Sequence, residues 1–159
     1  MRNFIFIFVL FSLSAFSVRA QEFTLAVNYL AGEKSKDSHS TEENFAITGR
    51  FTSYTIEFSG HRGSEQHDTD WTCRFSDKDI EMIKKAIVEK ELNHSVAYST
   101  EESKSKSFEQ YCNISISVAM DGSTYKITLN GDVVDLKNNN DYKNALSFIT
   151  VLRKMFEDC

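Results

Sequence analysis

The sequence predicts a single α+β domain, with a mostly antiparallel sheet of about five to seven strands and two amphipathic helices packed on one face. Three observations support this fold class. Several short segments alternate apolar and polar residues, favoured hairpin dipeptides follow some of them, and two longer segments repeat apolar residues at helical spacing. The chain contains no proline, so glycine, asparagine and aspartate must form its turns.

Residues 1–20 have the features of a secretory signal peptide. Arg2 precedes an apolar run, and small residues lead up to Ala20, after which we expect cleavage. The mature protein would then be one domain over residues 21–159, secreted or periplasmic. Because residues 1–20 hold two arginines and no acidic residue, their removal takes the formal net charge from −5 to −7. This acidic balance argues against a nucleic-acid partner. No later apolar stretch is long enough for membrane insertion.

The first half of the mature chain predicts strands separated by polar loops. Residues 23–29 alternate and form a first strand. Residues 45–58 hold one or two strands, with either a bulge or a break near Gly49 to Ser53. The segments 31–44, 59–70 and 99–109 are polar on both parities, so we expect them to be loops.

Residues 111–136 predict three neighbouring strands with a defined register. Asp121-Gly122 favours a two-residue hairpin. That hairpin sets three apolar pairs opposite each other, namely Val118 with Tyr125, Ile116 with Ile127 and Ile114 with Leu129. Asn130-Gly131 predicts a second hairpin, which would place Ile127 opposite Val134. One face of this meander is apolar, and the other carries serine, threonine, lysine and asparagine.

Two segments predict amphipathic helices that could cover the apolar face. Ser76 and Asp79 form a capping-box pattern before a helix that we expect to end at Leu92-Asn93, because Asn93 can adopt the left-handed conformation there. A final helix begins after residues 137–141. Its apolar stripe consists of Ala145, Phe148, Ile149, Leu152, Met155 and Phe156.

The three cysteines, in an oxidising compartment, predict a disulfide. Cys73 and Cys112 both have the inward parity at strand ends, so we favour a bridge between them. Cys159 would then be available for an intermolecular link. The alternative joins Cys159 to one of the other two cysteines.

Residues 59–70 contain the candidate metal ligands His61, His67, Asp68 and Asp70. These are suitable atom types for a divalent cation, but their spacing matches no recognised site. A solvated loop is the favoured interpretation, and we assign no metal, cofactor or catalytic residue.

Export, acidity and the lack of a catalytic constellation favour a non-enzymatic interaction module. Such a module would bind a protein or glycan outside the cytoplasm, as an inhibitor, an immunity-type protein or an envelope accessory factor. We expect the contact surface on the polar loops or on the polar face of the sheet. Two alternatives stay open: a metal-assisted hydrolase that uses the 59–70 loop, and a binder of small apolar ligands with a cavity between helices and sheet.

Overall fold

The computed structural model of the chain describes residues 23–33, 39–49, 51–60, 69–100 and 110–159. The predicted signal peptide lies outside these ranges. The strands are β1 (Thr24–Glu33), β2 (His39–Thr48), β3 (Phe51–Gly60), β4 (Thr69–Arg74), β5 (Val96–Ser99), β6 (Gln110–Met120) and β7 (Ser123–Asp132). The helices are α1 (Asp77–Glu89), α2 (Val133–Leu136) and α3 (Asn140–Glu157).

These strands form one seven-stranded sheet in the order β4-β3-β2-β1-β6-β7-β5. All neighbours are antiparallel except β5 and β7, which run parallel. The domain is therefore α+β with a mostly antiparallel sheet, as the sequence predicts.

The hairpin between β6 and β7 confirms the predicted register. Val118 lies opposite Tyr125 and Ile116 opposite Ile127, and the pairing continues regularly along both strands. Asp121 and Gly122 both have positive φ, 52° and 75°, as a type I′ turn requires. Local turn chemistry and side-chain alternation were sufficient to fix this pair.

The predicted third strand of the meander is wrong. β7 continues through Asp132, whose side chain accepts a hydrogen bond from the Val134 amide and caps the short helix α2. Val134 does not meet Ile127 and is 66% exposed. The neighbour of β7 is instead β5, which arrives from a distant part of the chain and pairs in parallel.

The predicted loop over residues 31–44 is wrong in extent. β1 continues to Glu33 and β2 starts at His39, and the two strands pair from Thr24–Thr48 to Gly32–Ser40. Polar residues form a regular strand here because one sheet face keeps its side chains exposed or half-buried, so apolar alternation is not required. The predicted break near Gly49 is confirmed, since Gly49 has φ 63° between β2 and β3.

The helix starts follow the predicted capping rules. The Ser76 hydroxyl accepts from the Asp79 amide, and the Asp79 carboxylate accepts from the Ser76 amide at 2.8 Å. α1 ends slightly earlier than predicted, because Glu91 rather than Asn93 adopts the left-handed conformation, with φ 53°.

The predicted apolar stripe of α3 is buried at Ala145, Phe148, Ile149, Leu152 and Phe156. The Phe156 ring lies 5.5 Å from Phe45 of β2 and 5.3 Å from Phe75, both edge-on. In α1, the Lys84 ammonium lies 5.9 Å from the ring of Phe23. Buried residues of strands and helices form one apolar cluster. The placement of both helices on one sheet face stays a prediction, which these contacts support.

The favoured Cys73–Cys112 bridge is wrong. Cys73 is bonded to Cys159, with a Cα–Cα distance of 6.1 Å, and Cys112 is a buried free thiol. Cys73 lies on the edge strand β4, four strands from Cys112 on β6, so the two are at least about 19 Å apart at normal strand spacing. A disulfide cannot span that distance. The expected intermolecular link through Cys159 is also wrong, because Cys159 at the end of α3 is already bonded to Cys73 of β4.

Among the described residues, none of the helices combines the length and the apolar content that a bilayer span requires. The intramolecular disulfide is compatible with a secreted protein.

Candidate functional site: the polar face of the sheet

One face of the sheet carries a continuous line of small polar side chains across six strands. The pairing registers align one residue from each strand, and we call this set the central polar row: Asp70, Thr55, Asn44, Asn28, Ser115 and Thr128. Six aligned strands give the row a length of about 24 Å. It crosses the middle of the sheet at right angles to the strands.

The side chains of the central polar row are exposed or half-buried, and none is buried. The row beside it, which includes Ala26, Ala46 and Ser117, follows the same pattern. On the opposite sheet face, the corresponding residues Phe45, Val27 and Ile116 are almost fully buried. The two faces therefore differ sharply, and the polar one keeps its hydrogen-bonding groups within reach of solvent.

Hydrogen bonds within the surface hold its side chains in place. The Asn28 amide donates to Asn44 Oδ1 at 2.5 Å and to Glu42 Oε1 at 3.1 Å, and the Asn44 amide donates to the same Glu42 oxygen at 3.3 Å. The Thr55 hydroxyl donates to Asp70 Oδ1 at 2.5 Å. Such bonds lower the entropy that ordering these groups against a partner would cost.

Tyr111 of β6 lies on the same face as the central polar row, four residues before Ser115. Its ring occupies the space above Gly32, where an added Cβ would come within 2.4 Å of the hydroxyl. Only glycine permits this close approach, so the ring leans over β1 at this end of the sheet. An aromatic ring on the polar face can stack on an apolar ligand surface while neighbouring polar groups make hydrogen bonds.

The opposite face of the sheet contains a separate buried polar contact. Glu43 of β2 is 5% exposed, and its carboxylate accepts from Arg153 Nε at 2.7 Å. The Arg153 guanidinium also lies 5.5 Å from the ring of Tyr29. Burial raises the pKa of Tyr29, and the nearby Arg153 cation partly opposes that rise. This pair anchors α3 to β1 and β2, so its role is structural.

Cys112 and Tyr142 form a second buried pair, between β6 and α3. The Tyr142 hydroxyl donates a hydrogen bond to the Cys112 sulfur, and burial raises the pKa of the thiol from 9.0 to about 11. Burial also raises the pKa of Tyr142. A thiol with so high a pKa is almost entirely protonated at neutral pH, which disfavours a nucleophilic role.

Of the predicted metal candidates, only Asp70 belongs to the described part of the chain. It lies on β4, exposed, and is bonded to Thr55. His61, His67 and Asp68 lie outside the described residues, so their proximity to Asp70 stays a prediction. Within the described ranges, no group of three possible ligands comes together.

Two clefts accompany α1 in the described structure, and both are open to solvent. One, of about 480 Å³, lies between α1 and the β6–β7 hairpin and is lined by Lys84, Lys85 and Asp121 among others. The other, of about 370 Å³, lies beside the disulfide and includes Arg74 and Met82. The first cleft is lined mostly by charged residues, whereas the second mixes charged and apolar residues. The binding of a small apolar ligand stays a prediction.

The sequence indicated only half of the polar face. Alternation in β6 and β7 assigned Ser115 and Thr128 to a polar side, whereas Asn44 fell in a segment that we expected to be a loop. The burial of Glu43 could not be predicted from hydropathy, because a charged residue is expected to be exposed. Its partner Arg153 is 110 residues away in sequence. Only pairing of β2 with β1 reveals the row.

Comparison with known proteins adds no assignment. No protein-family model matches the chain, and a search of curated proteins found no similar sequence.

Proposed function

We propose that this protein is an exported, non-enzymatic interaction module that binds a glycan or protein partner through the polar face of its sheet. The observation that carries the proposal is the central polar row, a line of amide, hydroxyl and carboxylate groups in which no side chain is buried. An exposed sheet face needs polar residues, but it does not need a hydrogen-bonded asparagine cluster at its centre.

The chemistry of the face favours a neutral, hydroxyl-rich partner over a highly charged one. Opposite charges are mixed on it, with Glu42 and Asp70 against Lys126 and Arg74. Short amides and hydroxyls both donate and accept, which matches the sugar hydroxyl groups of a glycan. The Tyr111 ring adds a surface on which a sugar ring could stack. A glycan is therefore the preferred partner class.

The test compares two threonine-to-arginine variants with the unchanged protein. Thr128→Arg places a long cation on the central polar row, whereas Thr150→Arg places it on the exposed side of α3. Binding is measured by affinity electrophoresis in gels that contain neutral polysaccharides, one polysaccharide per gel. Melting temperatures of both variants are measured alongside.

We expect at least one polysaccharide to retard the unchanged protein and Thr150→Arg, with Thr128→Arg retarded much less at a similar melting temperature. Equal retardation of both variants would show that binding occurs elsewhere. Retardation by no neutral polysaccharide would refute the preference for glycan and leave a protein partner, to be sought with the same variant pair.

A further inference from the structure

The two edges of the sheet differ in how open they are to another strand. At one edge β5 has only four residues, and side chains fix both of its ends to β7. Ser95 Oγ accepts from the Lys126 amide at 3.0 Å, and Thr100 Oγ1 accepts from the Asp132 amide at 3.0 Å. At the other edge β4 has six residues in unbroken register with β3.

β4 carries two charged residues but lacks other features that protect an edge strand. It contains no proline and no bulge, and among the described residues no strand pairs with its outer side. Trp71, near its middle, is 40% exposed. A regular edge that presents backbone donors and acceptors beside an exposed aromatic residue is a template for strand addition.

The charges of β4 are self-complementary in one antiparallel register. If two copies pair with Thr72 on the two-fold axis, Asp70 lies opposite the partner's Arg74, and symmetry repeats the pair. Both side chains are exposed on the polar face, and opposed residues on paired strands are about 5 Å apart. Moving the axis by one residue places Asp70 or Arg74 opposite Thr72 and loses both ion pairs.

The same register joins the two copies without reversing the sheet. Opposed residues of an antiparallel pair share a face, so the polar faces become one surface. Trp71 then lies opposite the partner's Cys73, which is buried and carries the disulfide. An apolar pair therefore forms on one face and two ion pairs form on the other.

We propose that the protein forms a two-fold dimer by antiparallel pairing of β4 with β4 of a second copy, centred on Thr72. An edge of six residues is about 20 Å long, so the interface belongs to the small class that forms reversible, micromolar dimers. The proposal does not depend on the proposed function, although dimerisation would extend the polar face.

Sedimentation velocity of the purified protein, with its disulfide intact and from about 1 to about 300 μM, tests the proposal. Asp70→Arg and Arg74→Asp each place like charges opposite one another, and each should weaken the dimer at least about tenfold. The double variant D70R/R74D restores both pairs in reversed order and should restore the dimer. Asp135→Arg, exposed on α2, changes the net charge as Asp70→Arg does and serves as the matched control for that variant.

A cysteine pair locates the axis. Thr72→Cys should give a covalent dimer on oxidation, and Tyr98→Cys, an exposed position on the other edge strand β5, should give far less. Monomer at every concentration, failure of D70R/R74D to restore association, or preferential linking through Tyr98→Cys would each overturn the proposed interface. Arg74→Asp keeps the Asp70–Thr55 bond, so the charge test does not rest on Asp70→Arg alone.

Discussion

Replacing Cys73 and Cys159 by alanine removes the bond that ties the end of α3 to the edge strand β4. The bridge closes a loop with a sequence separation of 86 residues. The loop-closure relation for an unfolded chain gives about 4.5 kcal/mol of stabilisation at that separation, as an upper bound. For a domain of this size, that corresponds to a fall of about 15 °C in melting temperature.

Urea unfolding with and without reductant measures the effect. The unchanged protein should lose stability on reduction, the double alanine variant should start at the reduced value and not respond, and Cys112→Ala should keep the full response. Cys112→Ala itself removes only a small buried group and should cost about 1 kcal/mol. If Cys112→Ala abolishes the response to reductant while Cys159→Ala leaves it intact, the bridge joins Cys73 to Cys112 and the distance argument fails.

Three further predictions follow from contacts in the helices and core. Arg153→Met leaves the buried Glu43 carboxylate without its cation. It should lower the free energy of unfolding by about 2 to 3 kcal/mol in urea titrations. The loss is smaller than for a fully buried ion pair because Arg153 is partly exposed. Adding Glu43→Gln should recover part of the loss. Hydrogen bonds from Ser76 hold the pKa of Asp79 below its usual value. The ionised carboxylate therefore stabilises the fold fully above the usual carboxyl pKa, and this stabilisation is lost as pH falls through the lowered pKa. Ser76→Ala should raise that pKa in an NMR titration and destabilise the protein by about 1 kcal/mol. Burial raises the pKa of Cys112 from 9.0 to about 11, so the thiol loses its proton at a lower pH in the unfolded chain than in the folded protein. The free energy of unfolding should therefore fall by up to about 2 to 3 kcal/mol as pH rises from about 9 to about 11. The fall should be smaller in Cys112→Ala, and iodoacetamide should label Cys112 in urea but hardly in the native protein.

Two predictions that rest on neighbouring residues were confirmed. The β6–β7 register follows from alternation and Asp121-Gly122, and the start of α1 follows from Ser76 and Asp79. Both are decided within a few residues, where turn and cap geometry leave few options. The predicted third meander strand is wrong because Asp132 caps the helix α2 instead of starting a strand. The place beside β7 is occupied by β5, which the local sequence around Gly131 could not indicate.

The candidate surface divides in the same way. Ser115 and Thr128 could be placed on a polar face from their own strands, since alternation is local. Asn28 and Asn44 could not be joined to them, because that requires β1 to lie between β2 and β6. Polar strands such as β2 give no hydropathy signal, so they look like loops until a partner strand is known.

The sequence by itself determined the fold class, the hairpin register, the apolar stripe of α3 and the number of cysteines available. Tertiary structure decided the strand order, the parallel pairing of β5, the Cys73–Cys159 bridge and the alignment of six side chains into the central polar row. The physical reason is the range of the forces that select each feature. Periodicity and turn chemistry act over a few residues, whereas strand order and disulfide pairing depend on distances between segments that only the assembled core brings together.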